Sequence, residues 1–306
     1  MKFVILAKLP AVALLAALSG PAGKKIAVVA TTPDLGALAR EIGGDEVEVK
    51  VLAKPTEDPH FVDAKPSHVV TLNRATALIE GGAELEIGWL PPLLETARND
   101  KLSPSSAGLI IASRGVRMLD VPAALDRSRG DVHSQGNPHF LIDPVNAKVV
   151  AAEIAAHFSQ LAPASAATFK ANLARFNSAV DAKTIEWKNT LAPFRGAKVV
   201  TYHNDFIYFA ERFGLKVVGT LEPKPGIAPS PAHLARTIAT MKNEKARVIL
   251  VQPYQNRKTA ETVARQANGV VVDFSQQPGA YKNTDTYIAM MDNLVRSIAA
   301  GLRGAQ

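Results

Sequence analysis

From residue 25 onward, short runs of β-branched and apolar residues alternate with stretches in which apolar positions recur every three to four residues. Lys25–Thr31 (KIAVVAT) reads as a strand. Pro33–Ile42 reads as a helix, because Leu35, Leu38, Ala39 and Ile42 share one helical face. Gly43-Gly44 closes that helix and Val47–Leu52 resumes as a strand. The same alternation predicts a helix over Lys65–Asn73, a strand over Ala77–Glu80, a helix over Trp89–Arg98 and a strand over Leu109–Ala112. The second half repeats it, with strands at Lys198–Tyr202, Lys216–Leu221, Arg247–Gln252 and Val270–Asp273. The helices between and after them are Asp205–Phe213, a segment capped by Ser230 and running to Asn243, Lys258–Ala267, and Asp285–Leu302. Strands regularly separated by helices imply mainly parallel sheets covered on both faces.

The middle of the chain has a different texture. Asp143-Pro144 pairs an N-cap with a proline at the first helical position and opens a helix to Leu161. Ala164–Leu191 has no Gly or Pro and places Phe169, Leu173, Phe176, Val180, Ile185 and Trp187 at largely three-to-four spacing. A helix of that length measures roughly 40 Å. It either bridges two lobes or packs as an ordinary long helix on one of them. The expected fold is therefore α/β, with two lobes, each a mainly parallel sheet flanked by helices. The boundaries fall at 24–162, 163–193 and 194–306.

The first 23 residues stand outside this alternation. A basic start, an apolar stretch over Leu9–Leu18 and small residues over Ser19–Gly23 describe a cleavable secretory signal. Lys8 interrupts the apolar stretch and leaves an uncleaved anchor or a buried first helix as the alternative. No other window reaches about 18 uninterrupted apolar residues, so the mature chain is expected to be exported and soluble.

Composition narrows the chemistry. There is no Cys among 306 residues, which excludes disulfides, thiolate metal sites, cysteine nucleophiles and lipid attachment through a cysteine. Any metal here is held by nitrogen and oxygen. The formal charge of +7 raises a nucleic-acid partner, but setting aside Lys2 and Lys8 leaves 33 basic residues against 28 acidic ones. The rest are scattered, without a basic run or interleaved aromatics, so no nucleic-acid partner is expected.

Seven histidines carry the candidate chemistry. His60 and His139 lie in nearly the same tetrapeptide, Asp58-Pro59-His60-Phe61 and Asn137-Pro138-His139-Phe140. Proline restricts the backbone before each His, and a short polar side chain two residues earlier can hydrogen-bond a backbone N–H. This holds an imidazole rigidly at the rim of a lobe, though two such tetrapeptides can also recur by chance. His203 follows a predicted parallel strand at its carboxyl end, where open α/β sheets build their sites. Asp273 ends the last strand, as a fourth ligand or as a turn and N-cap residue. Three imidazoles and one carboxylate form a tetrahedral set suited to Zn²⁺. His133, close to His139, either gates or transiently binds metal or is a solvated loop residue. His68, His157 and His233 read as structural. Glu57 and Asp58 adjoin His60 and are placed to orient it, whereas Glu222 lies in a Pro-rich stretch read as a stiff connection. The sequence contains no HExxH, GxSxG, Walker or GxGxxG motif.

The segments TTPDLGALAREIGGDEVEVKVLAKPTEDPHFVDAKPS, GNPHFLIDP, VVTYHNDFIYFAERFG and EPKPGIAPS resemble the zinc and manganese solute-binding proteins of ABC importers, over about Ile26–Leu302. The resemblance implies two lobes joined by one rigid helix and an ion held between them by His60, His139, His203 and Asp273. It also implies that the chain is not an enzyme. The expected protein is a periplasmic monomer that captures Zn²⁺, with Mn²⁺ or Fe²⁺ as alternatives, and delivers it to an inner-membrane ABC permease. The signal would be cleaved and no lipid anchor attached. An exported zinc-dependent hydrolase is the alternative from another class, and it needs an open coordination position and a base. Three features depart from the family pattern. Asp120–Asn137 holds only His133 where many zinc-binding members carry a long His-rich acidic loop. His68 replaces the usual acidic residue after Pro66-Ser67, and the segment after Val272 matches loosely. His at position 203, where manganese binders often have Glu, favours zinc.

Overall fold

The computed structural model describes residues 24–122, 133–224 and 226–305. The expected signal segment, 1–23, lies outside the described residues, as does most of the stretch between Asp120 and His133.

The first sheet holds β1 (Ile26–Ala30), β2 (Val47–Val51), β3 (Ala77–Glu80) and β4 (Leu109–Ile111), all parallel, in the order β2-β1-β3-β4. The second repeats that arrangement with β5 (Lys198–Thr201), β6 (Lys216–Thr220), β7 (Val248–Val251) and β8 (Val270–Asp273), in the order β6-β5-β7-β8. In each sheet the chain leaves the first strand on one side and returns on the other. The carboxyl ends of β1 and β5 thus lie at the reversals of strand order where parallel sheets open a crevice. The central strand β7, Val-Ile-Leu-Val, is buried at every position, as a strand covered on both faces requires.

Helices α1 (Pro33–Gly43), α2 (Pro66–Arg74), α3 (Leu90–Ala97) and α4 (Pro144–Leu161) flank the first sheet. Helices α6 (Ile207–Phe213), α7 (Pro231–Glu244), α8 (Arg257–Ala267) and α9 (Tyr287–Gly304) flank the second, and α5 (Ala166–Leu191) lies between them. The expected elements are all present, with ends shifted by at most two residues. The long helix begins at Ala166 because Pro163–Ser165 makes a 3₁₀ turn first.

Helix α5 is the bridge of the two alternatives. It packs on α1 and α4 and also on α9. Phe169, Phe176, Val180, Trp187 and Leu191 form one buried stripe along it. Phe169 meets Phe158 of α4 edge-on, whereas Phe176 meets Tyr287 of α9, with ring centroids 5.6 and 6.0 Å apart. The stripe joins one face of each sheet into a single apolar core running from Ile26 to Leu302. Each remaining face has its own smaller cluster, under α2 and α3 in one lobe and under α7 and α8 in the other. Trp187 adds a polar tie, its indole Nε1 donating to Asp292 Oδ1 of α9 at 2.8 Å.

Because Phe176 is about 1% exposed, meets Tyr287 of α9 and belongs to the core shared by both lobes, its truncation weakens that core as a whole. Phe176→Ala is expected to lower the unfolding free energy by roughly 3–5 kcal/mol. Urea denaturation followed by tryptophan fluorescence and circular dichroism measures it, and a loss confined to one of two separate transitions would contradict the shared core.

Candidate metal centre

The site begins with two turns of the same design. Asp58 Oδ1 accepts a hydrogen bond from the His60 backbone N at 3.0 Å, and Asn137 Oδ1 accepts one from the His139 backbone N at 3.0 Å. In both motifs the acidic or amide residue two positions before the histidine closes an Asx turn around the intervening proline. The chemical difference between them is used. Asp58 Oδ1 also lies 2.8 Å from His60 Nδ1, so the carboxylate orients the ring. The Asn137 amide instead donates from Nδ2 to the Asn204 carbonyl of the second lobe at 2.6 Å.

The segment carrying His139 is tied down from the opposite lobe at several points. The Tyr208 hydroxyl of α6 donates to the Asn137 carbonyl at 2.8 Å, and Tyr287 of α9 donates to the Leu141 carbonyl at 2.8 Å. Asp143 caps α4 by accepting from Val145 N and receives Arg212 of α6 through both carboxylate oxygens, at 2.7 and 2.8 Å. His139 therefore has little freedom to move relative to the second lobe.

His203 follows β5, as the strand pattern predicts, and its Nδ1 lies 2.8 Å from Glu222 Oε2. Glu222, just past β6, has only a connecting role on its sequence context. The available signal is positional, since β6 pairs directly with β5 and a carboxylate beyond its carboxyl end faces the residue beyond the end of its neighbour.

The structure brings His60, His139 and His203 together, with one nitrogen of each within 4.8 Å of the others. The ring centroids form a near-regular triangle of 5.1, 5.3 and 5.1 Å. A tetrahedral ion with bonds of ~2.0–2.1 Å places its nitrogens roughly 3.3 Å apart, so small ring movements suffice to close this set. With Nδ1 of His60 and His203 engaged by carboxylates, Nε2 is the nitrogen left to bind. His60 Nε2 and His139 Nε2 are buried and have no hydrogen-bond partner. Burial holds the His139 imidazole well below its usual pKa, helped by the charges of His60 and His203, and keeps it neutral with a free lone pair. Burial also disfavours the charged form of His203. Its hydrogen bond to Glu222 and the carboxylates of Asp205 and Asp58 outweigh this and raise its pKa.

The expected fourth residue is placed elsewhere. Asp273 sits at the end of β8, two strands away from β5 in the order β6-β5-β7-β8, or about 9–10 Å by the usual strand spacing. Its side chain is 47% exposed, and Oδ1 pairs with Arg257 Nε at 3.1 Å. His133 is drawn in instead. Its ring stacks on His60 with centroids 5.4 Å apart, and its Nε2 is buried without a partner. His68 stays on the first turn of α2 with its Nδ1 buried and without a hydrogen-bond partner, whereas His157 bonds the Ala107 carbonyl and His233 bonds the Thr220 carbonyl.

The turn beneath His133 rests on a buried acid. Gly82, Ala83 and Glu84 all have positive φ, at 73°, 50° and 66°. Glycine is required at 82, because a Cβ there would lie 2.5 Å from Ser113 Oγ and 2.6 Å from Ile111 Cγ2. Glu86 holds the turn by accepting from Thr31 Oγ1, Gly81 N and Gly82 N, at 2.6, 2.7 and 3.2 Å.

The comparisons with known proteins agree with this architecture. The family model described as ZnuA, zinc-uptake complex component A, periplasmic, matches residues 28–301. The chain belongs to this family of periplasmic metal-uptake components. Relatives include the high-affinity zinc uptake system protein ZnuA of Yersinia pestis, 25% identical over 90% of this chain and 91% of that one. The manganese ABC transporter substrate-binding lipoprotein PsaA of Streptococcus anginosus is 23% identical over 96% of each. Among solved structures, a crystal structure of ZnuA superposes with a TM-score of 0.76 at 23% identity, covering 91% of this chain and 99% of that one. A Mn-bound periplasmic metal binding protein from candidatus liberibacter asiaticus superposes with a TM-score of 0.74 at 20% identity, covering 91% of this chain and 100% of that one. These likenesses show the same two-lobed fold.

Burial pushes the Glu86 carboxyl up to about 7 from 4.5, against the hydrogen bonds from Thr31 and Gly81 that lower it. The folded state thus binds a proton that the unfolded chain releases earlier. Stability is full below about pH 4.5 and declines as pH rises through 7. Glu86→Gln is expected to cost a constant offset and remove this slope. The wild type should lose on the order of 2–3 kcal/mol more than the variant between pH 4.5 and 8. Urea titrations of metal-free protein across that range measure the difference, and parallel curves would refute it.

Proposed function

We propose that this chain is an extracytoplasmic receptor that captures Zn²⁺ in the cleft between its two lobes and hands it to an inner-membrane ABC permease. The observation that carries this reading is the convergence of His60, His139 and His203, two of them oriented by carboxylates and the third buried and neutral. Neutral imidazoles with fixed tautomers are borderline-soft donors that suit zinc better than manganese. The zinc uptake function named for the Yersinia pestis relative supports the same cargo.

The cavity supports an ion rather than an organic substrate. It measures about 40 Å³ and is lined by Asp58, His60, Phe61, His203, Glu222 and Tyr254, among others. Sites for drug-sized molecules span roughly 300–1,000 Å³. A role in binding and release without catalysis follows. We further infer a monomer without nucleic-acid partners. The chain offers no cysteine for lipid attachment, which would set it apart from the relatives named as lipoproteins. The domain boundaries at 162/163 and 193/194 are supported by the position of α5 between the two sheets.

Purified protein should contain close to one equivalent of zinc after dialysis, and zinc should compete out manganese in a titration against a chromophoric chelator. His139→Ala should weaken zinc binding far more than the ~10–100-fold expected for Glu222→Gln, which only frees the His203 ring. His233→Ala should leave affinity unchanged. Failure of the wild type to bind zinc would overturn the reading.

A second prediction concerns orientation. In Asp58→Asn the Asx turn can persist while the charge on His60 Nδ1 is lost, so affinity should fall by about 10–100-fold with little change in thermal stability. An equal loss in stability and in affinity would mean that Asp58 is a folding residue only.

A further inference from the structure

The three gathered histidines leave one position of a tetrahedral ion unfilled, and the carboxylate expected there is paired with Arg257 on an edge strand. We propose that His133 supplies the fourth bond, through Nε2, so that the cargo ion is held by four imidazoles with no carboxylate and no water. This rests on the metal-receptor reading above and specifies how its site is completed.

Three observations place His133 there. Its ring stacks on His60 at 5.4 Å, nearly as close as the three histidines lie to one another. Its Nε2 is buried without a hydrogen-bond partner, a costly state for a polar atom unless something else completes it. His133 Nε2 shares that state with His60 Nε2 and His139 Nε2, and the His60 ring lies beside both of the others.

The position is built. The His133 ring hydrogen-bonds the Ala83 backbone, which favours its charged form, so the ring N–H donates to the carbonyl. With Nε2 unpartnered, Nδ1 is the nitrogen that donates, and Nε2 keeps the lone pair. The next residue is clamped as well: Glu84 accepts from Ser134 N at 2.5 Å and from Ser134 Oγ at 2.6 Å. Ala83 and Glu84 are non-glycine residues held at positive φ, a backbone arrangement that side chains with a Cβ rarely adopt. Their carbonyl and carboxylate are the groups that fix His133 and Ser134. On the other side, Gly136 N bonds the His133 carbonyl, and Asn137 N bonds the Leu119 carbonyl.

The chemistry of a four-imidazole shell differs from the alternatives. Three histidines plus water is the open arrangement of zinc hydrolases, and His133 closes that position. Without an anionic oxygen donor, the site discriminates more strongly against manganese, which prefers carboxylate and water.

The test uses the full chain, stripped with chelator and reloaded with Zn²⁺ alone. X-ray absorption of the wild type should show four imidazole nitrogens, and His133→Ala should show three with an added oxygen. Zinc affinity in that variant should fall by at least about 10–100-fold, the scale set by loss of an outer-shell partner, while the metal-free melting temperature stays unchanged. His133→Asp restores a fourth bond through oxygen and should shift the zinc-to-manganese preference towards manganese. If wild type and His133→Ala bind zinc equally, with identical three-imidazole spectra, the inference is overturned and the receptor reading stands. If the wild type binds no zinc, the receptor reading itself fails.

Discussion

The structure depends on holding imidazole nitrogens in a buried place with nothing of the protein to satisfy them. Such groups are unfavourable in isolation, and side by side they repel one another once more than one of them is protonated. The fold meets this by fixing each ring from behind. Asp58 and Glu222 take the Nδ1 positions of His60 and His203, burial keeps His139 neutral, and the Ala83 carbonyl fixes His133. The three ring contacts, from Asp58, Glu222 and Ala83, all come from loops or strand ends, which is why the strands need to supply little more than a rigid frame.

That frame is distributed unevenly. His60 and His133 are held by the first lobe, and His203 by the second. His139 belongs by sequence to the first, but its segment is fastened by Asn204, Tyr208, Arg212 and Tyr287 of the second. The centre therefore does not form by two independent halves closing on an ion. One of its members is already common property of both lobes, and the shared core along α5 keeps it so.

Much of this was legible in the residues. The period of the apolar positions located the eight strands among the described residues, because parallel strands buried on both faces are continuous apolar runs and their covering helices are amphipathic. His60 and His139 were legible because proline and a short polar side chain leave few backbone options, and the expected N–H acceptor proved to be Asp58 in one turn and Asn137 in the other. His203 was legible from its place after a strand. Asp273 lies apart from the three histidines, and a carboxyl-terminal strand end is only a general signal. Which strand ends meet depends on strand order, and alternation alone does not encode that order. Glu222 and Glu84 were missed for the same reason: each acts on a residue 19 or 50 positions away, through sheet pairing or a left-handed turn.

The apolar stripe of α5 has a consequence for how a docked permease would tell a loaded receptor from an empty one. Phe176 and Trp187 are packed into one core shared by both lobes, so a wide separation of the lobes would expose large aromatic surface to water. The shared core thus opposes a wide opening of the lobes when the ion enters or leaves. Occupancy is then written at the cleft mouth, as a change of two positive charges beside His60. A membrane partner that reads this receptor would do so by local electrostatics and texture over a few residues, in the manner of a fingertip rather than a calliper.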